Sequence, residues 1–217
     1  MDRSRISLNK RPGASPLVSL TQSALVVALY LALTMATSFM SFSVVQFRLA
    51  EALTALPALF PSAIIGVFVG CLVSNLLNPA PLGLVDVLAG SATTLLAAVA
   101  TWRIGRSWRR RLALEVTREI PVDTGFSLKH FMQQIVPLVP PIVLNAVVVG
   151  TYLPFLIRTN DVSPTLIAAS IGTIFVSQAV ILLGVGLPLI LALKKTSWAQ
   201  RVYLAEWSHD SKERDSP

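Results

Sequence analysis

Six polar side chains stand within or at the edges of long apolar runs: Arg48, Glu51, Asn75, Asp86, Asn145 and Gln178. A carboxylate accepts adjacent N–H donors or a cation, a guanidinium donates to a carbonyl, and an amide does both. Such a set suits recognition of an organic solute rather than cleavage of a bond. Each residue also has a plainer reading. Arg48 and Glu51 can form an ion pair that holds the first loop. Asp86 can cap the helix that follows it by accepting backbone N–H groups. Asn75 and Asn145 can be hydrogen-bond glue between helices, and for Gln178 glue is the preferred reading. The residue types alone leave these alternatives open.

The segments that must position these residues are membrane helices. Hydrophobic residues make up 53% of the 217 and charged residues only 13%, against roughly 25% charged in a soluble domain. The apolar runs are 17–42, 53–77, 82–102, 133–157 and 163–193, most of them at or above the ~20 residues that cross a bilayer. The run 53–77 contains Pro57 and Pro61. Proline removes a donor and clashes with the preceding turn, so this run is either one kinked helix or two helices joined at Phe60-Pro61.

Charge decides between these. Sixteen of the 18 Lys and Arg residues lie in the first eleven residues, in 103–129 or after 193. If 53–77 crosses once, the basic 103–129 segment is outside, against the positive-inside rule. If it crosses twice, around 48–60 and 61–77, all three basic blocks are cytoplasmic. The expected fold is therefore an all-α, polytopic inner-membrane protein of six transmembrane helices with both termini inside. Residues 1–16 form a basic N-tail, 17–195 the membrane domain with a cytoplasmic loop at 103–130, and 196–217 a polar, partly helical C-tail. Part of the long loop is expected as an amphipathic helix at the membrane surface. The outer loops fall near 43–50, 78–83 and 157–163, which brings Arg48, Glu51, Asn75 and Asp86 to a common outer depth. Polar groups at membrane depth are costly and default to functional candidates.

Several activities lack their residues. There is no G-x-x-x-x-G-K-[ST] phosphate loop and no nucleophile motif of the G-x-S-x-G kind. The only histidines are His130 and His209, in or near polar segments, so no metal site and no cofactor are expected, and the chain is not read as an enzyme. The basic blocks flank apolar spans, which reads as topology rather than nucleic-acid binding. The run 17–42 is too long for a signal-peptide core and no small-residue cleavage site follows it, so it is read as a retained helix. Cys71, the one cysteine, reads as a packing residue. Ala24, Ala28 and Ala32 recur every four residues along one face of the first helix. They suit either close packing within the chain or a partner helix.

The stretch Gln46–Pro57 (QFRLAEALTALP) carries a family resemblance, with Gly70-Cys71-Leu72, Asn75-Leu76, Leu84-Val85-Asp86 and Gly90-Ser91-Ala92-Thr93. So do Pro140-Pro141-Ile142-Val143-Leu144-Asn145 and Gly186-Leu187-Pro188-Leu189. Over roughly residues 17–195 the chain resembles the QueT family of queuosine-precursor transporters. That family is similar to the substrate-binding S-components of energy-coupling factor (ECF) transporters. The resemblance implies six helices, an EcfT-like membrane subunit and two ATPase subunits, with docking through small residues spaced by four on the first helix. It also implies a 7-deazaguanine ligand such as preQ1, preQ0 or queuine, with Glu51 and Asp86 as acceptors and Arg48, Asn75 and Asn145 as donors. The family usually has Gly-Glu in the last helix where this chain has Ser177-Gln178. That departure keeps open another vitamin-type solute, and a membrane interaction protein without a ligand is the alternative of a different class.

Overall fold

The computed structural model describes residues 16–37, 48–78, 82–118, 127–157 and 162–215, with side chains through Ser208. The regular secondary structure of these residues is helical throughout. In chain order the helices are α1 (Pro16–Ala36), α2 (Leu49–Ala58), α3 (Ser62–Leu76), α4 (Asp86–Ile104) and α5 (Arg106–Val116), then α6 (Leu128–Ile157), α7 (Pro164–Leu193) and α8 (Ser197–Asp215). Among the described residues, α1, α4, α6 and α7 are long and apolar enough to cross a membrane, while α2 and α3 are shorter apolar helices. The basic residues 1–15 and most of the expected outer loops lie outside the described residues, as do Ser38–Phe42 at the end of the first apolar run.

Polarity is distributed inside out. Leu84, Leu96 and Val176 are 60% or more exposed, whereas Arg48, Glu51, Asp86 and Asn145 are 7% or less. In water this arrangement would be costly on both counts. In a bilayer the outer leucines and valines meet acyl chains and the polar groups pair with one another inside.

The run with two prolines is broken, as the two-helix reading expected. The chain turns at Leu59–Pro61 between α2 and α3. α2 is a 3₁₀ helix with Pro57 inside it. Three residues per turn superimpose every third side chain, which gives α2 three distinct faces. Ala52, Ala55 and Ala58 form a small face, Leu53 and Leu56 an apolar one, and Glu51 and Thr54 a polar one. All of these are buried, and α2 packs against α1, α3, α4, α6 and α7. It is the central post of the bundle. The small face receives α7: a Cβ on Gly186 would stand 3.0 Å from the Ala52 carbonyl oxygen and 3.1 Å from Ala55 Cβ, so a side chain there would push α2 and α7 apart by a few tenths of an ångström.

α1 lies along α3 by the same device. Side chains added at Gly66 and Gly70 would overlap Val26 and Tyr30. Two polar stitches fix the register: Ser23 Oγ donates to the Ser62 carbonyl and Ser62 Oγ donates to Gln22 Oε1, each at 2.7 Å. The opposite side of α1, with Ala24, Ala28 and Ala32, is exposed, so the alanine stripe does not pack within the described chain.

The amphipathic helix expected in the 103–130 loop is α5, whose Trp108, Arg109 and Leu112 turn inward. Arg109 is 1% exposed and ties several elements together. Its Nε and Nη2 donate to the two Glu206 oxygens on α8 at 2.7 and 3.0 Å. Nη1 donates to the carbonyls of Ala58 and Trp102, each at 2.9 Å. These are the last residue of α2 and one in the last turn of α4, whose carbonyls lack helical partners. The C-terminal segment is helical as far as Asp215, longer than the partial helix expected.

Candidate functional site

All six polar residues singled out by type and spacing line one internal cavity. Arg48 and Glu51 reach it from α2, Asn75 from α3, Asp86 from α4, Asn145 from α6 and Gln178 from α7. Arg48 stands immediately before α2 in extended backbone and Glu51 lies in its first turn. Asn75 is in the last turn of α3.

Wide backbone turns begin at two of these residues, Asp86 and Asn145, and a third follows one turn after Gln178. Asp86–Gly90, Asn145–Val149 and Leu182–Gly186 are wide π-helical turns within α4, α6 and α7. Such turns re-aim side chains and are frequent at functional sites. Each ends at or just before a glycine (Gly90, Gly150 and Gly186), where the missing side chain lets the cavity or a neighbouring helix come close. Gly90 opens onto the cavity. A Cβ there would stand 3.2 Å from Tyr152 Oη and 3.3 Å from Asn75 Nδ2.

The polar groups are held by neighbours the sequence reading left out. Tyr30, wholly buried on α1, donates its hydroxyl to Glu51 Oε1 at 2.7 Å. Asn145 Nδ2 donates to Glu51 Oε2 at 3.5 Å. Tyr152 donates to Asp86 Oδ1 at 2.9 Å; Asp86 lines the cavity, and no side-chain cap bond is present at the Asp86–Gly90 turn. Arg48 Nη1 donates to Asn75 Oδ1 at 2.9 Å and lies within the fields of Glu51 and Asp86. Cys71 belongs to the packed core, as expected, yet its sulfur also faces the cavity and accepts from Thr94 Oγ1 at 3.4 Å.

Gln178 differs from the rest. It is 7% exposed, it interacts with Glu51, and its Oε1 has no hydrogen-bond partner. A buried carbonyl oxygen without a donor costs about 1–3 kcal/mol. A ligand N–H at this position would remove that cost.

The cavity is small, with a volume of about 20 Å³. That is room for about one water. A bicyclic base enters only if wall side chains part. Val149 and Ile174 supply the apolar part of the lining. With one arginine against two carboxyl groups, the cavity has an acidic group without a basic counterpart. Among the described residues no cluster of His, Cys, Asp and Glu can hold a metal ion.

Compared with known families, residues 20–195 match the model of the QueT transporter family. No curated protein and no solved structure matches the chain. The match spans most of the sequence, and the chain belongs to the QueT transporter family.

Proposed function

We propose that this chain is the solute-capturing membrane subunit of an ECF transporter that takes up a queuosine precursor of the 7-deazaguanine type. The observation that carries the proposal is the convergence of six side chains from five helices on one buried cavity. Membership of a transporter family supports a small solute and a membrane location. The guanine-like edge of such a base offers adjacent N–H donors and one carbonyl acceptor. A carboxylate takes the donors as a pair, and an arginine or asparagine serves the carbonyl. The cationic aminomethyl group of preQ1 pairs with the second carboxyl group, which ranks preQ1 ahead of preQ0. Queuine, with a larger substituent, requires the walls to part further.

In this reading all six apolar helices cross the membrane, α2 and α3 as a pair, and both termini are cytoplasmic. At about 2.0 Å per residue, the ten residues of α2 span about 20 Å of the ~30 Å apolar core. A short helix is acceptable there because protein surrounds it. Capture is from outside. Energy comes from two ATPase subunits acting through an EcfT-like subunit, which docks on the exposed alanine stripe of α1. The chain itself is not an enzyme and uses no cofactor.

Calorimetry on the purified protein in detergent tests the proposal, with preQ1, preQ0, queuine and guanine as ligands. Tight binding of one 7-deazaguanine, lost in Glu51→Ala and Asp86→Ala variants that still unfold cooperatively, is the expected result. Unchanged affinity in both variants excludes this site. Gln178 in place of the usual glutamate favours a second reading, in which the same scaffold carries another vitamin-type solute. Riboflavin and thiamine in the same titration address it. A folded protein that binds none of these compounds points instead to an interaction protein without a ligand.

A further inference from the structure

A second, roomier cavity lies at the end of the bundle where α4 stops at Ile104, α6 starts at Leu128 and α7 stops at Leu193. It is set between α5, the first turns of α6 and the α7–α8 junction, and has a volume of about 420 Å³. Three basic residues line it (Arg111, Lys194 and Lys195) against one carboxyl group, Glu115. Glu115 is engaged by Arg111, with Nε to Oε1 at 2.8 Å. Among the described lining residues, no further carboxyl group faces the two lysines. Trp108 and Tyr203 form part of the apolar wall. Burial, and then the field of Glu115, pushes the Tyr203 phenol up to about 12, so at neutral pH Tyr203 adds no negative charge.

Two independent features set the depth of this cavity. The four tryptophans of the chain fall in the segments at this end, and one of them, Trp198, is half exposed; exposed tryptophan concentrates at the level of lipid headgroups. On α6, Phe131, Met132 and Val136 are each about 40% exposed, within two turns of His130 at the cavity wall. The cavity thus opens beside an apolar surface of the kind acyl chains cover.

We propose that this cavity binds the phosphate headgroup of an anionic phospholipid, with Lys194, Lys195 and Arg111 as its cationic contacts and the apolar strip of α6 carrying the chains. Basic pockets between membrane helices recognise such headgroups, and lysine serves a phosphate as a point charge. The site is separate from the internal cavity and does not depend on which solute that cavity takes.

The test is titration of the purified full-length protein in non-ionic detergent with phosphatidylglycerol or phosphatidylcholine, read by native mass spectrometry. Phosphatidylglycerol is expected to bind at least tenfold more tightly. Lys194→Gln and Lys195→Gln should each weaken it about fivefold, the worth of one basic residue near an anionic surface. Lys195→Arg should keep the affinity. Equal retention of both lipids overturns the proposal. So does unchanged phosphatidylglycerol binding in the double Gln variant at an unaltered melting temperature. A further arm adds inorganic phosphate. Displacement of the lipid by micromolar phosphate would assign the site to a soluble phosphate and exclude the lipid reading.

Discussion

The Tyr30 hydroxyl on α1 meets the Glu51 carboxylate on α2 at 2.7 Å, with both residues buried. Gly70 on α3 makes the meeting possible, because a Cβ there would stand 2.7 Å from Tyr30 Cβ. The small residue sets the helix spacing, the spacing aims the phenol, and the phenol orients the carboxylate at the cavity wall. Polar bonds between membrane helices average only ~0.6 kcal/mol. Tyr30→Phe should therefore cost about 1 kcal/mol of stability or less. Its larger effect should be on solute affinity, about tenfold, through a carboxylate left free to turn. Melting curves and calorimetry on the same samples separate the two effects, and a loss of stability without loss of affinity would make Tyr30 a packing residue only.

Gly90→Ala tests the cavity wall with a single methyl group. The added carbon would sit 3.2 Å from Tyr152 Oη and 3.3 Å from Asn75 Nδ2, narrowing a space that is already tight. Alanine is favoured over glycine in a helix by about 1 kcal/mol. The expected outcome is an unchanged or higher melting temperature with affinity reduced at least tenfold. Retained affinity would place the solute elsewhere.

Gln178→Glu places a third acid beside Glu51 and Asp86 in the cavity lining. A third carboxyl group in the lining should favour a solute with a cationic aminomethyl group over one with a neutral nitrile. Competition between preQ1 and preQ0 measures this, with the ratio expected to move toward preQ1 by about tenfold, one charge pair at partly screened strength. No change in the ratio would mean that Gln178 does not face the substituent.

Much of the site was legible because charges and amides are conspicuous in apolar runs. Arg48, Glu51, Asn75, Asp86, Asn145 and Gln178 stood out by cost alone, and the structure brings them to one cavity. Tyr30, Tyr152 and Thr94 did not stand out, because a tyrosine or threonine in a membrane helix passes for packing. Tyr30 carried a signal all the same, since a buried phenol needs a partner. Proline chemistry left a kink or a break at Phe60-Pro61 open, and the placement of basic residues chose the break. The 3₁₀ winding of α2 was visible only in the triplet Ala52, Ala55, Ala58, which a reading at 3.6 residues per turn passes over. The π turns left no mark, because an inserted residue is a property of packing between helices, not of local composition.

Arg109 offers a test of how the membrane bundle and its polar end are joined. Its guanidinium spans Glu206, Ala58 and Trp102 with a planar fork and lies 3.4 Å over the Trp102 ring. A lysine cannot reproduce this geometry. Arg109→Lys should cost about 2–3 kcal/mol, below the 3–5 of a fully buried pair because Glu206 is 22% exposed. Limited proteolysis should release α8 earlier than in the wild type. Equal cleavage rates would show that α8 is held by its apolar contacts instead.

Under the proposed docking of a partner subunit on α1, substitution of its exposed alanines separates capture from transport. Ala24, Ala28 and Ala32 lie on the side of α1 away from α3. A large residue there meets only lipid in the isolated subunit but blocks close approach of a partner helix. Ala28→Trp is therefore expected to leave calorimetric affinity and melting temperature unchanged. It should reduce uptake of labelled solute by cells to background, and the variant should fail to co-purify with an EcfT-like subunit. Ala28→Gly, which keeps the surface small, should transport normally. Because the two readouts are independent, wild-type uptake by the tryptophan variant rejects docking at this stripe while leaving the cavity intact. A loss of affinity in the detergent-purified variant would show instead that α1 is coupled to the site through Tyr30.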